Sequence, residues 1–200
     1  MKELRSGVLQ AERGDLESGI DKLQRGGAAF SATGSLPHNG QLSCRMAAAY
    51  RKLGQPQQAL RLLNAALPRE RAERDQMWEA EVFRLKGELL AEQEQCGESA
   101  GKPAEQDLSA ESCSRQAIAI STAQGARLLE LRAAVSLARY LLRQGQAAQG
   151  RARLADVYSW FTEGLDTADL KEAGVPSSST RSSRPSARCI RAYRRRSVAR

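Results

Sequence analysis

The 200-residue chain is long enough for one domain, and its 41% hydrophobic content supports a core, but the 4% aromatic content requires that core to be mostly Leu and Ala. No run of roughly eighteen apolar residues is present, which argues against a membrane-spanning helix, and the acidic N-terminal residues argue against a secretion signal. The net charge of +8 belongs to residues 175–200, which contain eight Arg and no Asp or Glu, so residues 1–174 are neutral overall.

Helical periodicity and turn residues predict an all-helical chain, because no alternating run of strand-forming residues appears. The helices are predicted at residues 2–13, 15–32, 40–53, 56–72, 75–95, 108–123, 126–144, 147–161 and 166–173. Polar or Gly- and Pro-containing loops are predicted at 33–37 and 97–106. Pro68 is expected to bend or end the fourth helix, whereas Gly54 is expected to end the third at its C-terminal turn.

One helix-pair pattern recurs along the chain at intervals of about forty residues. The small residues Gly7, Ala47 and Gly87 are each 40 positions apart, and Ala138 follows after 51, as expected if the loop at 97–106 is an insertion. We predict that each of these residues lies where the two helices of a hairpin come closest, since only a very small side chain permits that approach.

The recurrence predicts an α-solenoid of about four helical hairpins. They span residues 2–33, 38–72, 75–124 and 126–161, followed by a short capping helix at 166–173 and a disordered Arg/Ser-rich tail at 174–200. Leu23, Leu63 and Leu154 are expected to fill the space between paired helices. Ser114 stands at the corresponding position of the third hairpin and is expected to loosen it.

The order of residues in this pattern resembles the tetratricopeptide repeat, with a small residue, an aromatic, Ala, a large apolar residue and Ala at Ala47, Tyr50, Ala59, Leu63 and Ala66. Three longer segments, MWEAEVFRLKGELL, AESCSRQAIAISTAQGARLLELRAAVSLARYL and VYSWFTEGLDTADLKEA, look like the C-terminal repeat array of large bacterial ATPase and adenylate/guanylate-cyclase-like signalling proteins. The resemblance covers about residues 5–173.

That resemblance implies a non-catalytic protein–protein interaction module at the sensory or scaffolding end of an ATP-dependent signalling or transcription-regulating protein. It also implies that the chain begins inside the array, so that any ATPase or nucleotide cyclase activity belongs to a longer parent chain. The composition changes abruptly after Lys171-Glu-Ala. We hypothesise that residues 174–200 are read from a shifted frame of GC-rich DNA, which translation of the other two frames would test.

The residues offer no recognisable catalytic, cofactor or metal site. There is no phosphate-binding loop and no nucleophile elbow, and the single histidine, His38, is expected in a solvated loop. The four cysteines are scattered, as is typical of reduced thiols in a cytoplasmic protein, and lie at Cys44, Cys96, Cys113 and Cys189. We therefore expect no enzyme activity.

Acidic and aromatic residues of the later helices are assigned structural roles. Glu79 and Glu81 have the spacing of paired carboxylates, but nothing else supports acid–base chemistry. Glu88 and Glu92, one helical turn apart, are expected on a solvated charged face. Two tryptophans, at positions 78 and 160, are expected to anchor the core.

Binding is the stronger prediction, since in tetratricopeptide arrays the first helix of each pair lines a groove. The groove positions of this sequence are Arg51, Lys52, Arg84, Glu88, Glu92, Arg132, Arg139 and Arg143. Their arginines are suited to acidic side chains or a C-terminal carboxylate of a peptide, although they also suit a merely solvated helix face.

A rival class is association with nucleic acid or an anionic surface through the Arg-rich residues 181–200, where Tyr193 precedes three consecutive arginines.

Overall fold

The computed structural model describes residues 6–10, 13–32, 39–72, 78–97, 108–163 and 166–174. Within these ranges the regular secondary structure is helical, so the prediction of an all-α chain is confirmed for this part of the protein. The helices are α1 (residues 6–10), α2 (Leu16–Ala32), α3 (Asn39–Lys52), α4 (Pro56–Ala72), α5 (Glu79–Gln95), α6 (Ala110–Ala123), α7 (Arg127–Arg143), α8 (Ala147–Tyr158) and α9 (Ala168–Gly174).

The observed helix ends lie close to the predicted ones, and the exceptions have local causes. α6 begins two residues later than predicted because the Ser109 side chain accepts a 3.1 Å hydrogen bond from the backbone N–H of Ser112, as an N-cap residue does. α4 continues past Pro68, so this proline does not end it. The loop predicted at 33–37 and the tail after Gly174 lie outside the described residues.

The chain divides into two compact units, Met1–Leu85 and Lys86–Arg200. The first contains α1 to α4 and the beginning of α5, and the second contains the remainder of α5 with α6 to α9.

The first unit contains two pairs of helices that meet at small residues. A Cβ atom placed on Gly7 of α1 would lie 2.9 Å from the carbonyl oxygen of Gly19 and 3.0 Å from the backbone nitrogen of Leu23, both in α2. In the next pair, where α3 packs against α4, Ala47 is 1% exposed and Ala59 is fully buried. Glycine and alanine therefore lie at tightly packed positions of these helices, as predicted.

A hydrophobic cluster of the first unit consists of non-aromatic buried residues. Ile20 and Leu23 of α2 pack with Met46 and Ala49 of α3. Partly buried residues from all four helices and their turns surround this cluster, namely Val8, Leu16, Leu42, Tyr50, Leu53 and Leu62. The helices thus exclude water with few aromatic side chains, as the composition requires.

The second unit repeats this arrangement. A Cβ on Gly87 of α5 would lie 3.0 Å from the carbonyl oxygen of Ala110 in α6, and a Cβ on Gly150 of α8 would lie 3.1 Å from the Cα and carbonyl oxygen of Ala138 in α7. The predicted close approach is therefore observed at Gly87 and Ala138 as well as at Gly7, three of the four positions identified from the sequence.

A constant spacing relates the paired small residues. Gly7 and Gly19 are 12 positions apart, as are Ala47 and Ala59, and Ala138 and Gly150. In the α5–α6 pair Gly87 and Ala110 are 23 positions apart, which is 11 more than in the other pairs. The step from Gly87 to Ala138 is longer by the same 11 residues, because the connection between α5 and α6 contains more residues. In each of the three pairs with this spacing, the two small residues lie at the same distances before and after a tight turn. Residues so placed can meet only if the two helices are antiparallel, so the same hairpin geometry recurs.

The turns between paired helices also share one hydrogen-bond pattern. At Gly54, with φ of 72°, the N–H of Gln55 donates to the carbonyl of Tyr50, and at Gly145, with φ of 78°, the N–H of Gln146 donates to that of Leu141. This is the Schellman ending of a helix, in which a left-handed residue reverses the chain, and glycine adopts that conformation without a Cβ clash.

The third hairpin is closed around Ser114 rather than loosened by it. This residue is 2% exposed, and its hydroxyl donates a 3.0 Å hydrogen bond to the carbonyl of Ala110 one turn earlier in α6. A Cβ on Gly87 would lie 2.9 Å from the Ser114 hydroxyl oxygen. The serine therefore fills the contact with a satisfied polar group, whereas the first two hairpins have the buried residues Leu23 and Leu63 at this position.

Candidate interaction surface

Helix α7 places three arginines on one face. Arg132, Arg139 and Arg143 are separated by seven and four residues, which at about 100° per residue keeps them within an arc of about 40°. The opposite face of α7 is held in the core by Leu131 and Leu141, which are at most 1% exposed. We call the three residues the α7 arginine row.

The first arginine of the row is bound by helix α9. Arg132 donates two parallel hydrogen bonds to the carboxylate of Asp169, at 2.9 Å from Nε and 2.8 Å from the second nitrogen. This bidentate geometry matches the planar guanidinium to the planar carboxylate and fixes the direction of approach. The two side chains are 40% and 25% exposed, so water still reaches the pair.

The second arginine is also bound by α9, because Arg139 donates to the carboxylate of Glu172. Asp169 and Glu172 are three residues apart in α9 and therefore share a face. The residues that follow these acids are buried where α9 packs against α7 and α8: Leu170 is 3% exposed and Ala173 is 7% exposed. The short helix thus presents two acids to the arginine row and two apolar side chains to the core.

Helix α5 supplies acidic residues near the row. The Ser136 hydroxyl of α7 donates to the carboxylate of Glu88 at 2.7 Å. Glu88 and Glu92 are both half-buried, so the prediction of a solvated charged face is wrong for them. Ser136 shows that α7 lies beside this part of α5 at Glu88.

The two remaining polar groups of this surface have shifted pKa values. Desolvation lowers the pKa of Arg143 from its usual value, while Glu92 and Glu88 act in the opposite direction. Burial raises the pKa of Tyr140, and the charge of Glu94 and a hydrogen bond to it raise that pKa further. Near neutral pH the guanidinium is charged and the phenol is protonated, so the surface has fixed charges.

The predicted groove residues of the first unit are Arg51, Lys52 and Arg84. Arg84 donates two hydrogen bonds, of 2.8 and 2.7 Å, to the carboxylate of Glu81 one turn earlier in α5, and both side chains are largely buried. Arg51 and Lys52 are the last residues of α3, where positive charge complements the helix dipole. Arg84 therefore has a structural partner within its own helix.

The prediction that Trp160 anchors the core is wrong. Trp160 is 65% exposed and does not anchor the core, because α8 ends at Tyr158 and leaves the ring beyond the last helical turn. The Arg127 guanidinium lies 4.0 Å from the centroid of its indole ring, at cation–π distance. The other tryptophan, Trp78, is partly buried, with its indole nitrogen shielded from water.

The sequence pattern predicts that Arg132, Arg139 and Arg143 share one face of a helix, and it gives no indication of their partners in α9. Asp169 and Glu172 are 37 and 33 residues away from their arginines, so no local pattern connects them. Ser136 could have been predicted as part of this surface, because it lies one helical turn after Arg132 on the same side of α7.

Other kinds of site are not seen in the described part of the chain. No group of three His, Cys, Asp or Glu side chains in it is placed to hold a metal ion. Cys44 and Cys113 are buried thiols. None of the helices described has the length and apolar character needed to cross a bilayer. His38 lies outside the described residues.

Comparison with protein-family models, with curated proteins and with solved structures gives no match to this chain.

Proposed function

We propose that this protein is a non-catalytic protein–protein interaction module built from tetratricopeptide-like helical hairpins. The observation that carries the proposal is the recurrence of one contact between small residues 12 positions apart, at Gly7 with Gly19 and at Ala138 with Gly150, in a chain whose described part is helical. Repeated hairpins of this kind are used mainly as binding surfaces, because each adds a similar face without adding a catalytic centre.

The proposed binding surface is the α7 arginine row with the polar side chains of α5 beside it. It carries arginines and carboxylates at defined positions. A partner segment with the complementary charges is therefore favoured over an apolar one. In the cell, we propose a cytoplasmic scaffold or sensor belonging to a bacterial ATP-dependent signalling or transcription-regulating system, as the sequence resemblance implies.

The test is capture of host proteins by the full chain and by two charge-reversed variants. Arg139→Glu with Arg143→Glu alters the proposed surface, and Arg151→Glu with Arg153→Glu alters exposed positions of α8 as a matched control. We expect quantitative mass spectrometry to show partners lost with the first variant and retained with the second. Identical partners for all three chains would contradict the proposed surface.

An enzymatic role makes a different prediction. Isothermal titration of the purified chain with ATP and Mg²⁺ is expected to show no binding, since the sequence lacks a phosphate-binding loop. Tight binding of ATP by this chain alone would overturn the non-catalytic proposal.

A second candidate function is binding of nucleic acid or another polyanion through residues 181–200. It is supported by the concentration of eight arginines without acidic residues after position 174.

A further inference from the structure

We propose that the face of α7 and α8 covered by α9 is a binding site for an acidic amphipathic helix of a protein partner, and that α9 is its exchangeable intramolecular occupant. This inference rests on the proposed function and names the chemistry of the partner. The partner helix has two acids three residues apart, each followed by an apolar or small residue.

The contacts of α9 define that chemistry. Asp169 and Glu172 meet Arg132 and Arg139, while the residues that follow them, Leu170 and Ala173, are buried. A helix with acids at i and i+3 and apolar residues at i+1 and i+4 therefore satisfies the charged and apolar parts of the site together. A helix lacking either acid would leave one arginine of the row without its carboxylate.

The size and exposure of α9 make exchange feasible. A helix of seven residues is too short to be stable by itself, so α9 depends on its contacts with α7 and α8. Both ion pairs remain partly exposed, with side-chain exposures between 25% and 46%, so salt and competing carboxylates reach them. A partner helix with more turns would retain the same two pairs and add contacts of its own.

The surface is selective because α5 contributes acidic residues beside it. Glu88 accepts from Ser136, and the charges of Glu92 and Glu94 act on Arg143 and Tyr140. These carboxylates repel an acidic helix that approaches over α5, whereas Arg132 and Arg139 attract it along the side that α9 occupies. The site therefore favours one direction of approach.

The experiment is an NMR titration of the ¹⁵N-labelled full chain with a synthetic peptide of residues 166–174, followed at the α7 amides up to millimolar peptide. In the unmodified chain α9 competes with the peptide. In the variant Asp169→Asn with Glu172→Gln, the arginine row is intact and its occupant is weakened, so we expect at least tenfold tighter peptide binding. Raising NaCl from about 50 to about 500 mM should weaken that binding.

Two controls separate recognition from a change in folding. Adding Arg132→Gln and Arg139→Gln to the variant should abolish binding of the peptide. Reversing the row with Arg132→Asp and Arg139→Glu should transfer binding to a peptide that carries Arg in place of both acids. The second control gains an interaction, which loss of structure would not produce, and circular dichroism of each chain monitors its helix content.

Three results would overturn the inference: no α7 shifts with the weakened-α9 variant, equal affinities for that variant and the unmodified chain, or binding that does not depend on Arg132 and Arg139. Capture of host partners that depends on Arg139 and Arg143, together with any of these results, would leave the proposed function standing. If the peptide exchanges with α9 but no host partner depends on Arg139 and Arg143, the binding site is supported and the proposed function is contradicted.

Discussion

Two helical glycines, Gly87 and Gly27, leave similarly little space for a Cβ atom, but the neighbouring atom belongs to the backbone in one case and to a side chain in the other. A Cβ on Gly87 would lie 3.0 Å from the backbone oxygen of Ala110, whereas a Cβ on Gly27 would lie 2.7 Å from a terminal methyl carbon of Leu42. The methyl group can rotate away, but the oxygen moves only with its helix. The same substitution should therefore have different consequences at the two positions.

We expect Gly87→Ala to lower the free energy of unfolding, because overpacking of about 1–3 kcal/mol exceeds the helix-propensity gain of up to about 1 kcal/mol. Gly27→Ala, the matched control, should be neutral or slightly stabilising. Urea denaturation followed by circular dichroism measures both. Equal effects of the two substitutions would show that the helix–helix contact at Gly87 is not tight.

The phenol of Tyr140 provides a prediction for pH. Its folded-state pKa is raised by burial and by Glu94, while the unfolded chain titrates near about 10. The stabilisation from the more tightly held proton is fully present below the unfolded pKa and is lost as pH rises through the folded pKa. Denaturation between about pH 9 and 11 should therefore show stability falling, with a smaller fall in Tyr140→Phe and an intermediate one in Glu94→Gln. An unchanged slope in both variants would refute this assignment.

At the scale of elements, the hairpins depend on how each helix ends as well as on how it packs. Gly54 and Gly145 occupy the left-handed position of the same turn, with the same pair of backbone hydrogen bonds around each. Such a turn fixes where the second helix begins, so it sets which residues of the two helices face one another. The 12-residue spacing of the contacts is a consequence of this fixed turn.

Gly145→Ala should destabilise the second unit by about 1–2 kcal/mol, the cost of placing a Cβ in the left-handed region. Gly145→Asn should cost less, because asparagine tolerates this conformation better than other residues with a side chain. Thermal unfolding of the three chains tests the order Gly, Asn, Ala. Alanine as stable as glycine would mean that the turn changes its conformation.

At the scale of the whole molecule, the charge is divided between a neutral helical part and a basic segment. Residues 175–200 carry all of the net charge of +8, while acidic and basic residues balance in residues 1–174. Within the described residues this balance is visible as pairs, such as Arg132 with Asp169 and Arg84 with Glu81. Attraction to polyanions should therefore belong to the last residues and not to the helices.

We expect the full chain to retard a single-stranded oligonucleotide in a gel at low salt, and the chain ending at Gly174 not to do so. Retardation should weaken steeply as salt is raised, because the attraction comes from release of counterions. Similar retardation by both chains would assign binding to the helical part and contradict the separation of charge.

The sequence determined the helices, their turns and the small residues at their contacts, because local spacing and conformational preference suffice to specify these features. It also identified the arginines of α7 as surface residues, since they share one face of a predicted helix. Only the tertiary structure decided that Arg132 and Arg139 meet Asp169 and Glu172 of α9, that Ser114 closes its hairpin, and that Trp160 is exposed. These outcomes depend on which distant surfaces come together, and spacing along the chain does not encode the distances between side chains of different helices.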